Sequence, residues 1–125
     1  MTRRVLVIDD DPRVRTALGA LLASTADLAP AGQAASAAEA EDAEGAHGPF
    51  DLAVVDVLLP EAATGLALIR RLAARGPVVA ISVSSAHRAP ALAAGAIAFL
   101  DKDGRPDTLL AALRASIDPL NGAPR

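Results

Sequence analysis

Short apolar runs and longer amphipathic stretches alternate along the chain. Residues 52–60 (Leu-Ala-Val-Val-Asp-Val-Leu-Leu-Pro) form an apolar, β-branched run with one carboxylate in it. A run this short and rich in Val is expected to be a strand covered on both faces, and Pro60 cannot continue it. Residues 5–8 form a second such run and stop at Asp9-Asp10-Asp11-Pro12. There Asp11 is placed to cap a helix that begins on Pro12. Val14, Ala17, Leu18, Leu21 and Leu22 give that helix one apolar stripe, with Arg13 and Arg15 turned away and an end near Thr25. Residues 28–34 are a weak run, assigned as a strand because the alternation requires one.

The second half repeats the pattern. Residues 36–44 read as a helix capped by Ser36 and stopped by Gly45 and Gly48-Pro49. After a loop at 61–65, Leu66, Leu68, Ile69 and Leu72 mark a third helix, stopped by Gly76-Pro77. Residues 78–81 form the next buried strand and end at Ser82; residues 84–95 hold a short Ala-rich helix opening around Pro90. Residues 97–100 form the fifth strand, ending at Asp101-Lys102-Asp103-Gly104. Pro106 starts a last helix with Leu109, Leu110, Leu113 and Ile117 on one face. Five strand-then-helix units predict a parallel five-stranded sheet with helices on both faces, an α/β/α three-layer sandwich. Residues 1–118 are expected to form this one domain, and 119–125 a linker or tail.

Composition narrows the classes. At 125 residues, half of them apolar, the chain has room for one core. Acidic residues exceed basic ones by three and two Phe are the only aromatics, so no basic patch or stacking platform for direct nucleic-acid binding is expected. There is no cysteine, hence no thiolate chemistry, and no apolar run approaches a signal peptide or a membrane span. A cytoplasmic protein without membrane contact is the expectation.

The polar residues at the strand ends change the picture. In open α/β sheets the chemistry sits in the crevice outside the carboxyl ends of the strands. Asp9 and Asp10 end the first strand, Asp56 the third, Ser82 the fourth and Lys102 the fifth. Singly, each is an ordinary loop residue. Together, three carboxylates repel one another and call for a proton or a cation, and an all-oxygen site suits Mg²⁺. A hydroxyl and an ammonium beside it suit phosphate oxygens, and Asp is a known nucleophile toward phosphorus.

Over about residues 3–118 the chain resembles the receiver domains of bacterial response regulators. Val7-Ile8-Asp9-Asp10-Asp11-Pro12 is similar to that family's acidic motif and Asp56-Val57-Leu58-Leu59-Pro60 to its phosphoacceptor motif. Ser82 matches its hydroxyl, and Phe99-Leu100-Asp101-Lys102 its aromatic switch and lysine. The resemblance implies a flavodoxin-like (CheY-like) sheet of order 2-1-3-4-5, Asp56 as phosphoacceptor, and Lys102 and Ser82 on the phosphoryl group. It implies Mg²⁺ held by Asp10, Asp56 and the Leu58 carbonyl, with Asp9 acting through water, and a switch made of Ser82 and Phe99. It implies a sensor histidine kinase as phosphoryl donor and a homodimer on activation. Residues 82–85 and 95–103 resemble the NarL/LuxR-like subfamily, whose receivers precede a helix-turn-helix domain, which implies an excised receiver with transcription as output.

The chain also departs from the family pattern. Thr64-Gly65 stands one residue further from Asp56, an insertion beside the acceptor, and a short Ser82 to Lys102 interval falls on the fourth helix. Asp103 replaces the frequent proline, so a cis peptide after Lys102 is not expected. Phe99 lacks the hydroxyl of tyrosine, so an inward, buried ring is expected even without phosphate. Among rivals, an aspartyl-nucleophile phosphatase would need a second Asp where Leu58 stands, and a nucleotide-binding enzyme a glycine-rich loop. The remaining alternative is a receiver that is no longer phosphorylated and serves as a docking module.

Overall fold

A computed structural model describes residues 2–102 and 105–117, without the side chains of residues 46, 47, 106, 116 and 117. Five parallel strands, β1 (Arg3–Ile8), β2 (Leu28–Ala34), β3 (Leu52–Asp56), β4 (Val78–Ser82) and β5 (Ala98–Asp101), stand in the order β2-β1-β3-β4-β5. The helices are α1 (Pro12–Ala23), α2 (Ala37–His47), α3 (Ala62–Ala73), α4 (Arg88–Ala93) and α5 (Pro106–Ile117). This is the expected CheY-like α/β/α sandwich. The place of Ile117 in the α5 stripe, the 102–103 peptide and the tail at 119–125 lie outside the described residues.

Strand periodicity divides the core in two. Leu6 and Ile8, Ala53 and Val55, Val78 and Ala80, and Phe99 face α2, α3 and α4. The alternate residues Val5 and Val7, Leu52 and Val54, and Val79 and Ile81 face Leu18 and Leu22 of α1 and Leu109 and Leu113 of α5. Both faces of the three central strands are thus apolar, and crossover helices must cover both. Pro30, which has no N–H, sits in the edge strand β2, and the β1–β2 register shifts between Val5 and Leu6 beside it.

Helix ends follow local chemistry and correct several boundaries. Asp11 caps α1 by accepting the Arg13 N–H at 2.9 Å, with Pro12 in the first turn as expected. Ser36 caps α2 through the Glu39 N–H at 3.1 Å. The helix then runs through Gly45, which carries no structural demand, and ends at Gly48 (φ 79°). α3 begins at Ala62 rather than Leu66 and takes up most of the expected loop. α4 begins at Arg88, after a 3-10 turn at Ser85–His87, rather than at Pro90. β5 begins at Ala98, leaving Ile97 half exposed. Arg15, expected to face solvent, is half buried and donates from Nη1 to the Asp9 carbonyl at 2.6 Å, holding the backbone at the end of β1.

Gly65 shows why α3 starts where it does. A Cβ there would lie 1.8 Å from the Val57 carbonyl oxygen, and that neighbour is backbone that cannot rotate away. Only glycine lets the first turn of α3 lie against the residue after Asp56. Gly65→Ala should therefore destabilise the fold by about 2–3 kcal/mol, the upper part of the usual cost of overpacking, as read by chemical denaturation. A loss below about 0.5 kcal/mol would contradict this close approach.

Candidate functional site

The loops after β1, β3, β4 and β5 open on one edge of the sheet, and they bring together the residues singled out in the sequence. Asp9 follows β1 and is wholly buried; Asp10, next to it, is exposed; Asp56 closes β3 and is 3% exposed. One carboxylate oxygen from each of Asp9, Asp10 and Asp56 lies within 4.8 Å of the others. The Lys102 ammonium, after β5, is 2.7 Å from Asp9 Oδ2 and 3.0 Å from Asp56 Oδ2. Lys102 is placed by its own N–H, which donates to the Ser82 carbonyl at 2.8 Å.

Each carboxylate is partly satisfied. Asp9 Oδ1 accepts the Asp11 N–H at 2.8 Å, and Asp56 Oδ1 accepts the Leu58 N–H at 3.2 Å. Asp9 Oδ2 is buried and meets the ammonium as an ion pair without hydrogen-bond alignment. Burial raises the pKa of Asp56 and the charge of Asp9 adds to the rise; Lys102 and the Leu58 N–H oppose it without cancelling it. For Lys102, burial pulls downward, but the close contacts with the charged Asp9 and Asp56 carboxylates outweigh it and raise the pKa. The ammonium therefore stays charged and offsets one of three negative charges.

The remaining negative charge suits a hard cation. All donors are oxygen, and around Mg²⁺ at about 2.1 Å neighbouring ligand oxygens stand about 3 Å apart and opposite ones about 4.2 Å. Three carboxylate oxygens within 4.8 Å need move little to meet that spacing. The poorly bonded, buried Asp9 Oδ2 has acceptor capacity in reserve. These residues fit Mg²⁺.

Ser82 is fully buried at the end of β4, one position beyond Ile81, which pairs with Asp56. Its hydroxyl is 2.7 Å from Nδ1 of His87 and accepts the Ser84 N–H at 3.2 Å. Nothing along the chain singles out His87: it is one histidine in a polar loop, with no periodicity or motif around it. Phe99 is buried, 6% exposed, as its missing hydroxyl predicts. The Leu58 carbonyl lies in the loop just after Asp56. Among the described residues, no helix is long and apolar enough to cross a membrane.

Comparison with known proteins gives this arrangement a family. Residues 5–114 match the model of the response regulator receiver domain. No curated protein matches the chain. Among solved structures, the signal receiver domain of the putative response regulator NarL from Mycobacterium tuberculosis is 29% identical with a TM-score of 0.73, covering 94% of this chain and 98% of that one. A LuxR-family response regulator from Aurantimonas sp. SI85-9A1 is 27% identical, TM-score 0.77, covering 92% and 84%. R. sphaeroides CheY6, solved in complex with the P1 domain of CheA3, is 22% identical, TM-score 0.76, covering 92% and 96%, a likeness of fold.

Proposed function

Since the chain belongs to the response regulator receiver domain family, we propose that it accepts a phosphoryl group on Asp56, with Mg²⁺ bound beside it, from the phosphohistidine of a sensor kinase. The observation that carries this reading is the Lys102 ammonium bridging Asp9 and Asp56 at 2.7 and 3.0 Å on the sheet edge where Asp10 also converges. A merely structural lysine would need one partner; this one holds two buried carboxylates together.

In the transfer, an oxygen of Asp56 forms the bond to phosphorus as the bond from phosphorus to the donor's imidazole nitrogen breaks. The imidazole leaves with that electron pair. The attacking form is the carboxylate, which Lys102 and the Leu58 N–H favour against the opposing effect of burial. Lys102 can follow the charge onto the phosphoryl oxygens, and Ser82 offers a hydroxyl proton to them. Asp10, Asp56 and the Leu58 carbonyl would hold Mg²⁺, with Asp9 acting through water. When bound, Mg²⁺ supplies charge neutralisation on the transferring group. The family resemblance supports output through a DNA-binding domain outside this chain, a homodimer on activation and a cytoplasmic location.

Asp10 gives a separable test, because it is exposed and outside the Lys102 pairs. Asp10→Ala should weaken Mg²⁺ at least about tenfold, since even residues that only support a metal ligand are worth about 10- to 100-fold. Isothermal titration with Mg²⁺ reads this directly. An Mg²⁺ affinity equal to that of the wild type would remove Asp10 from the site.

A further inference from the structure

One hydrogen bond beside Asp56 has no part in phosphoryl transfer as described: that between Ser82 Oγ and His87 Nδ1, at 2.7 Å. A serine hydroxyl has one proton to give and two lone pairs. The Ser84 N–H donates to one lone pair of Oγ at 3.2 Å, and the histidine tautomer sets the direction of the remaining bond: with Nδ1 unprotonated, the Ser82 hydroxyl donates to it. His87 is itself fixed. It closes the 3-10 turn Ser85–His87, where Ser84 Oγ accepts the Ala86 N–H and the Ser84 carbonyl the His87 N–H at 3.2 Å. α4 starts at the next residue.

A phosphoryl group on Asp56 would present acceptor oxygens, and the Lys102 ammonium and the Ser82 hydroxyl are side-chain proton donors at this edge. Ser82 cannot give its proton to both His87 and a phosphoryl oxygen. We propose that His87 is a positioning residue: in the unphosphorylated protein it takes the Ser82 proton at Nδ1, with its own proton on Nε2, and so withholds Ser82 from the phosphoryl site. Modification of Asp56 then recruits Ser82 at the cost of that bond, releasing the turn that leads into α4. This rests on the phosphoacceptor role of Asp56. His87 thereby lowers the population of the phosphoryl-engaged state, and its removal favours that state.

The test uses beryllofluoride with Mg²⁺ as a stand-in for the phosphoryl group, titrated into the full chain and followed by NMR. His87→Ala should bind it about 3- to 10-fold more tightly than the wild type, the worth of one neutral hydrogen bond. His87→Asn, which keeps an acceptor near the position of Nδ1, should return toward the wild-type affinity. In a Ser82→Ala background, His87→Ala should have no effect. The ¹⁵N shifts of the His87 ring should show an unprotonated, hydrogen-bonded Nδ1 that loses its partner on saturation. Unchanged or weaker binding by His87→Ala, the same gain without Ser82, or a proton on Nδ1 would overturn the latch while leaving Asp56 as acceptor. A wild type that binds no beryllofluoride would overturn both.

Discussion

Lys102→Met should lower the stability of the metal-free protein by about 3 kcal/mol, the scale at which one partner of a buried ion pair is missed. The lysine is 13% exposed and its ammonium touches Asp9 Oδ2 and Asp56 Oδ2, both buried. Methionine keeps much of the length and apolar stem and removes only the charge. Two carboxylates then face each other without a cation, so the deficit should shrink as pH falls and they take up protons. Mg²⁺ should stabilise the variant more than the wild type, because it would replace the missing charge. Urea denaturation with and without Mg²⁺ measures both effects. A variant as stable as the wild type, or one with an equal response to Mg²⁺, would mean that Lys102 does not hold the carboxylates together.

Lys102 itself sets an alkaline limit. Its folded-state pKa lies above the ordinary 10.5, so its contribution is present below that value and is lost as pH rises through the elevated one. Asp56 has the opposite sign. Its pKa is raised above 3.8, mainly by burial, so the folded state binds its proton more tightly than the unfolded state does. Stability therefore falls as pH rises from about 3.8 through the raised value and stays reduced above it.

Asp56→Asn follows from that sign. The variant keeps the shape of the side chain and loses both the nucleophile and the penalty for ionising it. It should take up no phosphoryl group and melt higher than the metal-free wild type at neutral pH, with the difference vanishing at pH 3. A variant that melts no higher at pH 7 would contradict the proposed balance between burial and Lys102. The stabilisation should also fade in the wild type's favour as Mg²⁺ is added, because the variant has one carboxylate fewer to hold it.

The central strands and the site residues were legible because two simple signals coincided. Apolar runs too short for helices marked β1, β3 and β4, and each stopped at a residue with chemistry: Asp9, Asp56, Ser82. Helix starts were harder to place, for reasons visible at particular residues. Gly65 looks like the end of a loop in sequence, yet it lies inside α3 because the helix passes against the Val57 carbonyl. Pro90 looks like a first helical residue, but the first turn of a helix leaves N–H groups without intrahelical partners, so proline is also accepted two positions in. Gly45 and Gly48 look equivalent, and only Gly48 adopts the positive φ that ends α2. His87 and Arg15 were invisible for another reason. Each acts through one hydrogen bond across a loop, on Ser82 and on the Asp9 carbonyl, and such contacts leave no pattern along the chain.

The phosphoacceptor role itself is tested most directly by locating the phosphoryl group. The protein is incubated with a small-molecule phosphodonor such as phosphoramidate, and intact mass is read for the wild type with Mg²⁺, the wild type with chelator, and Asp56→Asn with Mg²⁺. The expected result is one phosphoryl group on the wild type with Mg²⁺ and none in the other two samples. Labelling of Asp56→Asn equal to that of the wild type, or a wild type that stays unlabelled with Mg²⁺, as a docking module would, contradicts it.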